Sequence, residues 1–122
     1  MPRIVHFGLP ADDVTRAQKF YSTVFGWEFE KWNGPFDYWM AKTGDDKLPG
    51  INGGMMKRMA GQIGMVNTID VPSIEEYAKK IESMGGKVIE QKHTIPGVGY
   101  MAICADTENN GFCIIQFDKN AK

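Results

Sequence analysis

Two hydrophobic periods follow one another along this chain, and the same succession occurs twice. The opening stretch RIVHFGLP (Arg3 to Pro10) alternates with period two. This predicts a strand with Phe7 and Leu9 on one face and Ile4, His6 and Gly8 on the other. The spacing then lengthens. Val14, Ala17, Tyr21, Val24 and Phe25 fall on one side of a helix, with Asp13 placed to cap its start and Gly26 to end it.

Shifting the chain by 60 residues lays this stretch on VNTIDVPSIEEYAKKIESMGGKVIE (Val66 to Glu90) without a gap. Leu9 meets Ile69, Val14 meets Ile74, and Gly26 meets Gly86. In the second copy Ser73 and Glu76 form a capping box, and Ile74, Tyr77, Ala78, Ile81 and Met84 make the apolar helix face. Two further strands follow each copy. In the first half they are FDYWMAK (Phe36 to Lys42) and INGGMMKR (Ile51 to Arg58). In the second they are GYMAICA (Gly99 to Ala105) and GFCIIQF (Gly111 to Phe117). The pattern predicts an α+β chain of two tandem β-α-β-β-β modules, about 1–60 and 61–122, in one domain, joined by a crossover at MAGQIG (Met59 to Gly64).

Composition narrows the function. With 14 Lys and Arg against 15 Asp and Glu, the net charge is −1, and no basic face is offered to nucleic acid. No apolar run approaches the length of a membrane span, and the N-terminus lacks the layout of a signal peptide. Two cysteines without such a leader predict a reducing, cytoplasmic setting. If Asp106 pairs with Gly111, Cys104 and Cys113 face each other across the last hairpin, with Cβ atoms about 4.5–5.5 Å apart. They are then a redox pair, a thiolate ligand set with His6 or, as free cysteines usually are, small apolar filler.

The succession of His6, hydrophobic residues, Asp12-Asp13 and RAQKFYSTVFGW (Arg16 to Trp27) resembles the glyoxalase/bleomycin-resistance/extradiol-dioxygenase superfamily, also called vicinal oxygen chelate. So do IPGVGY (Ile95 to Tyr100) and DTENNGFCIIQ (Asp106 to Gln116). The resemblance covers nearly the whole chain and is nearest to small members of unassigned reaction. It implies curved half-barrel sheets around a central cavity, and a homodimer.

In metalloenzymes of that superfamily the first and fourth strands of each module supply donors to a divalent ion. The ion then acts as a Lewis acid on two substrate oxygens. Carried onto this chain, the first such position holds His6, its repeat mate is Val66, and the last-strand position is Cys113. Leu48 to Val66 contains no acid or histidine. One donor of the usual four remains, so no cofactor is expected. The resemblance therefore implies a protein that holds a small, partly apolar organic molecule, with His6 as an acid–base or hydrogen-bonding group. The alternative is a divalent-metal-dependent lyase, isomerase or dioxygenase that completes His6 with unusual or second-subunit ligands; whether the chain is an enzyme stays open. Expected to line the ligand site are Tyr38, Trp39, Met55, Val66, Thr68, Tyr100, Cys104 and Cys113. Of Tyr38 and Trp39, alternation turns only one toward the cavity. Asp70 reads as a solvated or turn-capping acid and His93 as surface.

Overall fold

The computed structural model describes residues 1–59 and 64–122. The expected crossover and the boundary near residue 60 fall largely outside the described residues. The chain forms two compact units, His6–Met65 and Met1–Val5 with Val66–Lys122.

The first unit carries β1 (Ile4–Ala11, whose first two residues group with the second unit), α1 (Val14–Phe25), β2 (Glu28–Lys31), β3 (Trp39–Lys42) and β4 (Gly53–Lys57). Its strands lie in the order β2-β3-β4-β1, with β1 parallel to β4 and the other pairs antiparallel. The second unit carries β5 (Val66–Asp70), α2 (Ile74–Ser83), β6 (Lys87–Ile95), β7 (Gly99–Ala105) and β8 (Gly111–Phe117). Its order is β6-β7-β8-β5, with β5 parallel to β8. The α+β class and the doubled β-α-β-β-β plan are as the sequence predicts. The strands β3 and β4 are shorter than expected, because Phe36–Tyr38 and Ile51–Asn52 stay outside the ladder.

Local chemistry sets the helix ends. Asp13 accepts the Arg16 amide at 3.0 Å and Ser73 accepts the Glu76 amide at 3.2 Å, each meeting a donor that the first turn leaves unpaired. The first helix ends at Gly26, left-handed at φ 76°, whose amide bonds the Ser22 carbonyl. The second ends at Gly85, φ 95°, after which the Gly86 amide returns to the Ile81 carbonyl at 2.9 Å. Because α2 stops one residue before it, Met84 lies on the surface instead of the helix's apolar face.

Each helix covers one face of its own sheet. Under α1 lie Phe7, Leu9, Ala11, Ala41 and Met55, with Val14, Ala17 and Tyr21 of the helix against them. Val24 and Phe25, expected on this face, are more than half exposed. Phe25 instead rests beside the rings of Tyr21 and Trp27, at 6.3 and 5.9 Å between centroids. Under α2 lie Val71, Ile74, Ala102, Cys104 and Ile114, with Tyr77 and Ile81. Asp70 ties down the N-terminal residues: its carboxylate accepts the Arg3 amide at 2.9 Å and its amide donates to the Arg3 carbonyl at 3.0 Å.

Candidate functional site: the His6 face of the first unit

Strand alternation sends Phe7 and Leu9 toward α1, so His6 and Gly8 point to the opposite face, as expected. His6 is partly buried there, and its Nε2 lies 2.6 Å from the Tyr38 hydroxyl. That distance fits a phenol O–H donating to a bare imidazole nitrogen, or Nε2–H donating to the phenol oxygen. Burial pulls the imidazole below its ordinary value of 6.5, so the ring is neutral at physiological pH.

Two glycines make this contact available. Gly8 pairs with Gly54 across β1 and β4. A Cβ on Gly54 would run into the Tyr38 ring and hydroxyl, so the bare backbone is what lets the tyrosine lie across β4 to reach His6. The ring is also buttressed. Trp32 and Phe36 meet Tyr38 edge-on at 6.2 and 6.3 Å, and pack on each other at 4.9 Å. The Trp32 amide donates to the Tyr38 carbonyl at 2.7 Å, and the Trp32 ring also lies over Gly34. The turn at Asn33, Gly34 and Pro35 thus folds the aromatic residues onto one another. Beside them Lys31 and Asp37 bond each other at 3.0 Å.

The remaining expected site residues divide by strand face. Of Tyr38 and Trp39, the tyrosine takes the His6 face, whereas Trp39 packs against the α1 core. Met55 is completely buried in that same core, opposite both Leu9 and Trp39. Each belongs to the helix side, one step out of phase with the lining position assigned to it. In the second unit Tyr100 and Cys104 pack on the α2 core, while Thr68 pairs with Cys113 on the other face. Thr68 is buried there, and Val66 shares its alternation. Tyr100 and Cys104 are therefore corrected to helix-side packing residues, as Trp39 and Met55 are in the first unit.

The cysteine pairing also differs from expectation. Asn109 adopts φ 65°, which shortens the final turn so that Asp106 pairs with Asn110 and Ala105 with Gly111. Cys104 then sits opposite Phe112, and Cys113 opposite Ile103, so the two thiols point to different faces. Both are free. Burial, with Cys104 and Glu90 nearby, pushes the Cys113 thiol up to about 11, and burial also raises Cys104. Neither is poised as a thiolate. His93 is exposed on β6, as expected.

A divalent ion at His6 would need two or three further donors. On the His6 face of β4 the positions are Gly54 and Met56, and the polar group against the imidazole is a phenol. Among the described residues no three His, Cys, Asp or Glu side chains converge. The described residues do not fit a divalent metal at His6. Two shallow grooves on the first unit, one with Asp13, Gln18 and Trp39 and the other with Glu28, Met40 and Asn52 in its walls, include neither His6 nor Tyr38. No described helix is long and apolar enough to cross a membrane.

Residues 3–44 match the family described as bleomycin resistance protein-like N-terminal. No curated protein matches the chain. Among solved structures, a hypothetical protein from Bacillus halodurans C-125 is similar over 99% of this chain and 98% of its own, with TM-score 0.73 and 11% identity. Methylmalonyl-CoA epimerase from Mycobacterium tuberculosis is similar over 94% and 87%, with TM-score 0.68 and 10% identity. A glyoxalase/bleomycin resistance protein/dioxygenase superfamily member from Vibrio splendidus 12B01 is similar over 97% and 100%, with TM-score 0.68 and 15% identity. The chain therefore shares the fold of these solved structures, and its residues 3–44 are similar to the bleomycin resistance protein-like N-terminal family.

Proposed function

We propose that this protein binds a small, partly apolar organic molecule on the His6 face, through hydrogen bonding and aromatic contact and without a resident metal ion. The observation that carries this reading is the 2.6 Å bond between His6 Nε2 and the Tyr38 hydroxyl. It uses, within the protein, the imidazole nitrogen that a metal would take, and it is flanked by aromatic rings that suit a flat or apolar ligand. Several solved relatives handle small organic molecules; one is a methylmalonyl-CoA epimerase in complex with methylmalonyl-CoA and NH4+. A neutral imidazole in such a site can accept or donate a proton, so the pair suits acid–base chemistry as well as simple binding. A homodimer and a cytoplasmic setting belong to the same reading; the open sheet edges at β2 and β6 suit pairing with a second chain.

The second reading, a metal-dependent lyase, isomerase or dioxygenase, is favoured by one observation: His6 keeps the strand and face of the superfamily's first ligand. Elemental analysis of untagged protein separates the two. Substoichiometric Mn, Fe, Co, Ni and Zn, unchanged in His6→Ala, is the expected result. One equivalent of metal per chain that disappears in His6→Ala would replace the binding reading with the enzymatic one.

A further inference from the structure

The helix side of the first unit carries an unpaired polar group of its own. The strands β1 and β4 run parallel and end together, with Ala11 opposite Lys57, at the rim where α1 begins. A groove of about 390 Å3 opens there, between Val14, Thr15 and Gln18 of α1, Trp39 of β3 and Lys57 of β4. That size lies within the range of small-molecule sites. Among the described residues, Gln18 Nε2 is the one buried side-chain nitrogen or oxygen without a hydrogen-bond partner. A buried donor left unpaired destabilises a fold, and an acceptor brought by a ligand removes that penalty.

Further donors share the groove. The Val14 and Thr15 amides, in the first turn of α1, have no acceptor within the helix. Lys57 is exposed and forms no ion pair among the described residues. The three aspartates of the groove wall are each engaged. Asp12 bonds Arg58 at 2.9 Å, Asp37 bonds Lys31 at 3.0 Å, and Asp13 accepts the Arg16 amide.

We propose that this groove binds the carboxylate of a small organic acid, whose oxygens accept from Gln18 Nε2, the Lys57 ammonium and the first amides of α1. A single negative charge matches one unpaired lysine beside the positive end of a helix. The aspartates weigh against a doubly charged phosphate, and an ammonium offers the buried donor no acceptor. The other groove, at Glu28, Met40 and Asn52, holds no unpartnered buried donor among the described residues. The Gln18 groove lies on the helix side of the sheet and includes neither His6 nor Tyr38, so neither site's reading depends on the other.

The test titrates propionate, propionamide, propylammonium and inorganic phosphate into the full chain, followed by NMR of the backbone amides and the Gln18 side-chain amide. Propionate is expected to shift Gln18, Val14 and Thr15 and to bind about tenfold more tightly than the other three. Lys57→Gln should cost propionate about tenfold and leave propionamide unchanged. Gln18→Met, which keeps similar bulk without the polar group, should cost propionate a similar factor. Its denaturation midpoint should hold or rise, because no hydrogen bond is lost and an unpaired donor is gone. A midpoint that falls while propionate affinity is retained makes Gln18 a structural residue and overturns its role. Propionamide, propylammonium or phosphate binding as tightly as propionate overturns the carboxylate class. Affinity unchanged in both variants, or no shift at Gln18, Val14 and Thr15, overturns the site and leaves the His6 reading untouched.

Discussion

Asp13 caps α1 and Ser73 caps α2, and the residues that follow them, Val14 and Ile74, begin helices that sit at equivalent places in the two units. Leu9 pairs with Met55 in one unit, and Ile69 with Ile114 in the other; both pairs lie under a helix. The next positions differ. Where the first unit has Gly8 beside Gly54, the second has Thr68 beside Cys113, and where the first has His6, the second has Val66. The helix-facing side of a module is fixed by packing, and it repeats. The opposite side is free to change, and in the first unit two glycines and a tyrosine convert it into a polar corner. In the second it holds a buried hydroxyl and a thiol raised to about 11.

This contrast breaks most visibly in the helix-side cores. Met55→Ala and Ile114→Ala each remove a fully buried side chain and should each cost about 2–5 kcal/mol in chemical denaturation. A near-neutral Met55→Ala would return that residue to a ligand-lining role. Next come Gly26 and its repeat mate Gly86, which follows the left-handed Gly85. Gly86→Ala places a Cβ 2.7 Å from an Ile81 methyl and 2.9 Å from the Ala105 carbonyl, so overpacking of about 1–3 kcal/mol is expected. Gly26→Ala meets open space and bears only the left-handed strain, about 1 kcal/mol. Equal losses would show that Gly26 and Gly86 are constrained alike, not one by conformation and the other by close packing.

Acid should separate the two faces more gently. The folded-state value of His6 is lowered, so the unfolded chain takes up a proton first as pH drops through 6.5. Stability should therefore fall on acidification from neutral pH through that value and down to the lower folded-state value. His6→Leu should flatten that part of the denaturation profile, while Val66→Leu, at the equivalent place, should leave its shape unchanged. The smallest effect lies in the thiols. At pH 8 about one Cys113 side chain in a thousand is ionised, so alkylation by iodoacetamide should be slow until denaturant is added. Rapid labelling of native protein would contradict the raised value of the Cys113 thiol.

Much of the fold was legible in the sequence because its signals are local: a cap, a helical stripe, a glycine stop, each present twice. The site was legible only in part. Strand parity placed His6, Thr68 and Cys113 on the side away from the helices, and it left Tyr38 and Trp39 as alternatives that a single contact decides. Cys104 went astray because one residue at the turn, Asn109 with positive φ, moves the pairing by a single step and so reverses the face. For Met55 and Tyr100 residue type and alternation disagree, and alternation from Leu9 and Ile114 turns both toward the helix. Trp32, Phe36 and Gly54 were beyond a linear reading. Their roles come from a loop that folds back on itself, although the paired glycines at 53–54 within an otherwise apolar strand were a signal that a ring lies close to the backbone.

The central claim is that a tyrosine hydroxyl, and not a metal ion, engages the lone histidine of the first strand. Nitrogen-15 NMR of the His6 ring near neutral pH addresses it directly, in the native chain and in Tyr38→Phe, with and without one equivalent of Zn2+ or Co2+. A neutral ring whose Nε2 resonance moves on Tyr38→Phe and is untouched by either metal is the predicted result. A ring that ignores the loss of the tyrosine hydroxyl, or whose Nε2 shifts or broadens on stoichiometric metal, would contradict it.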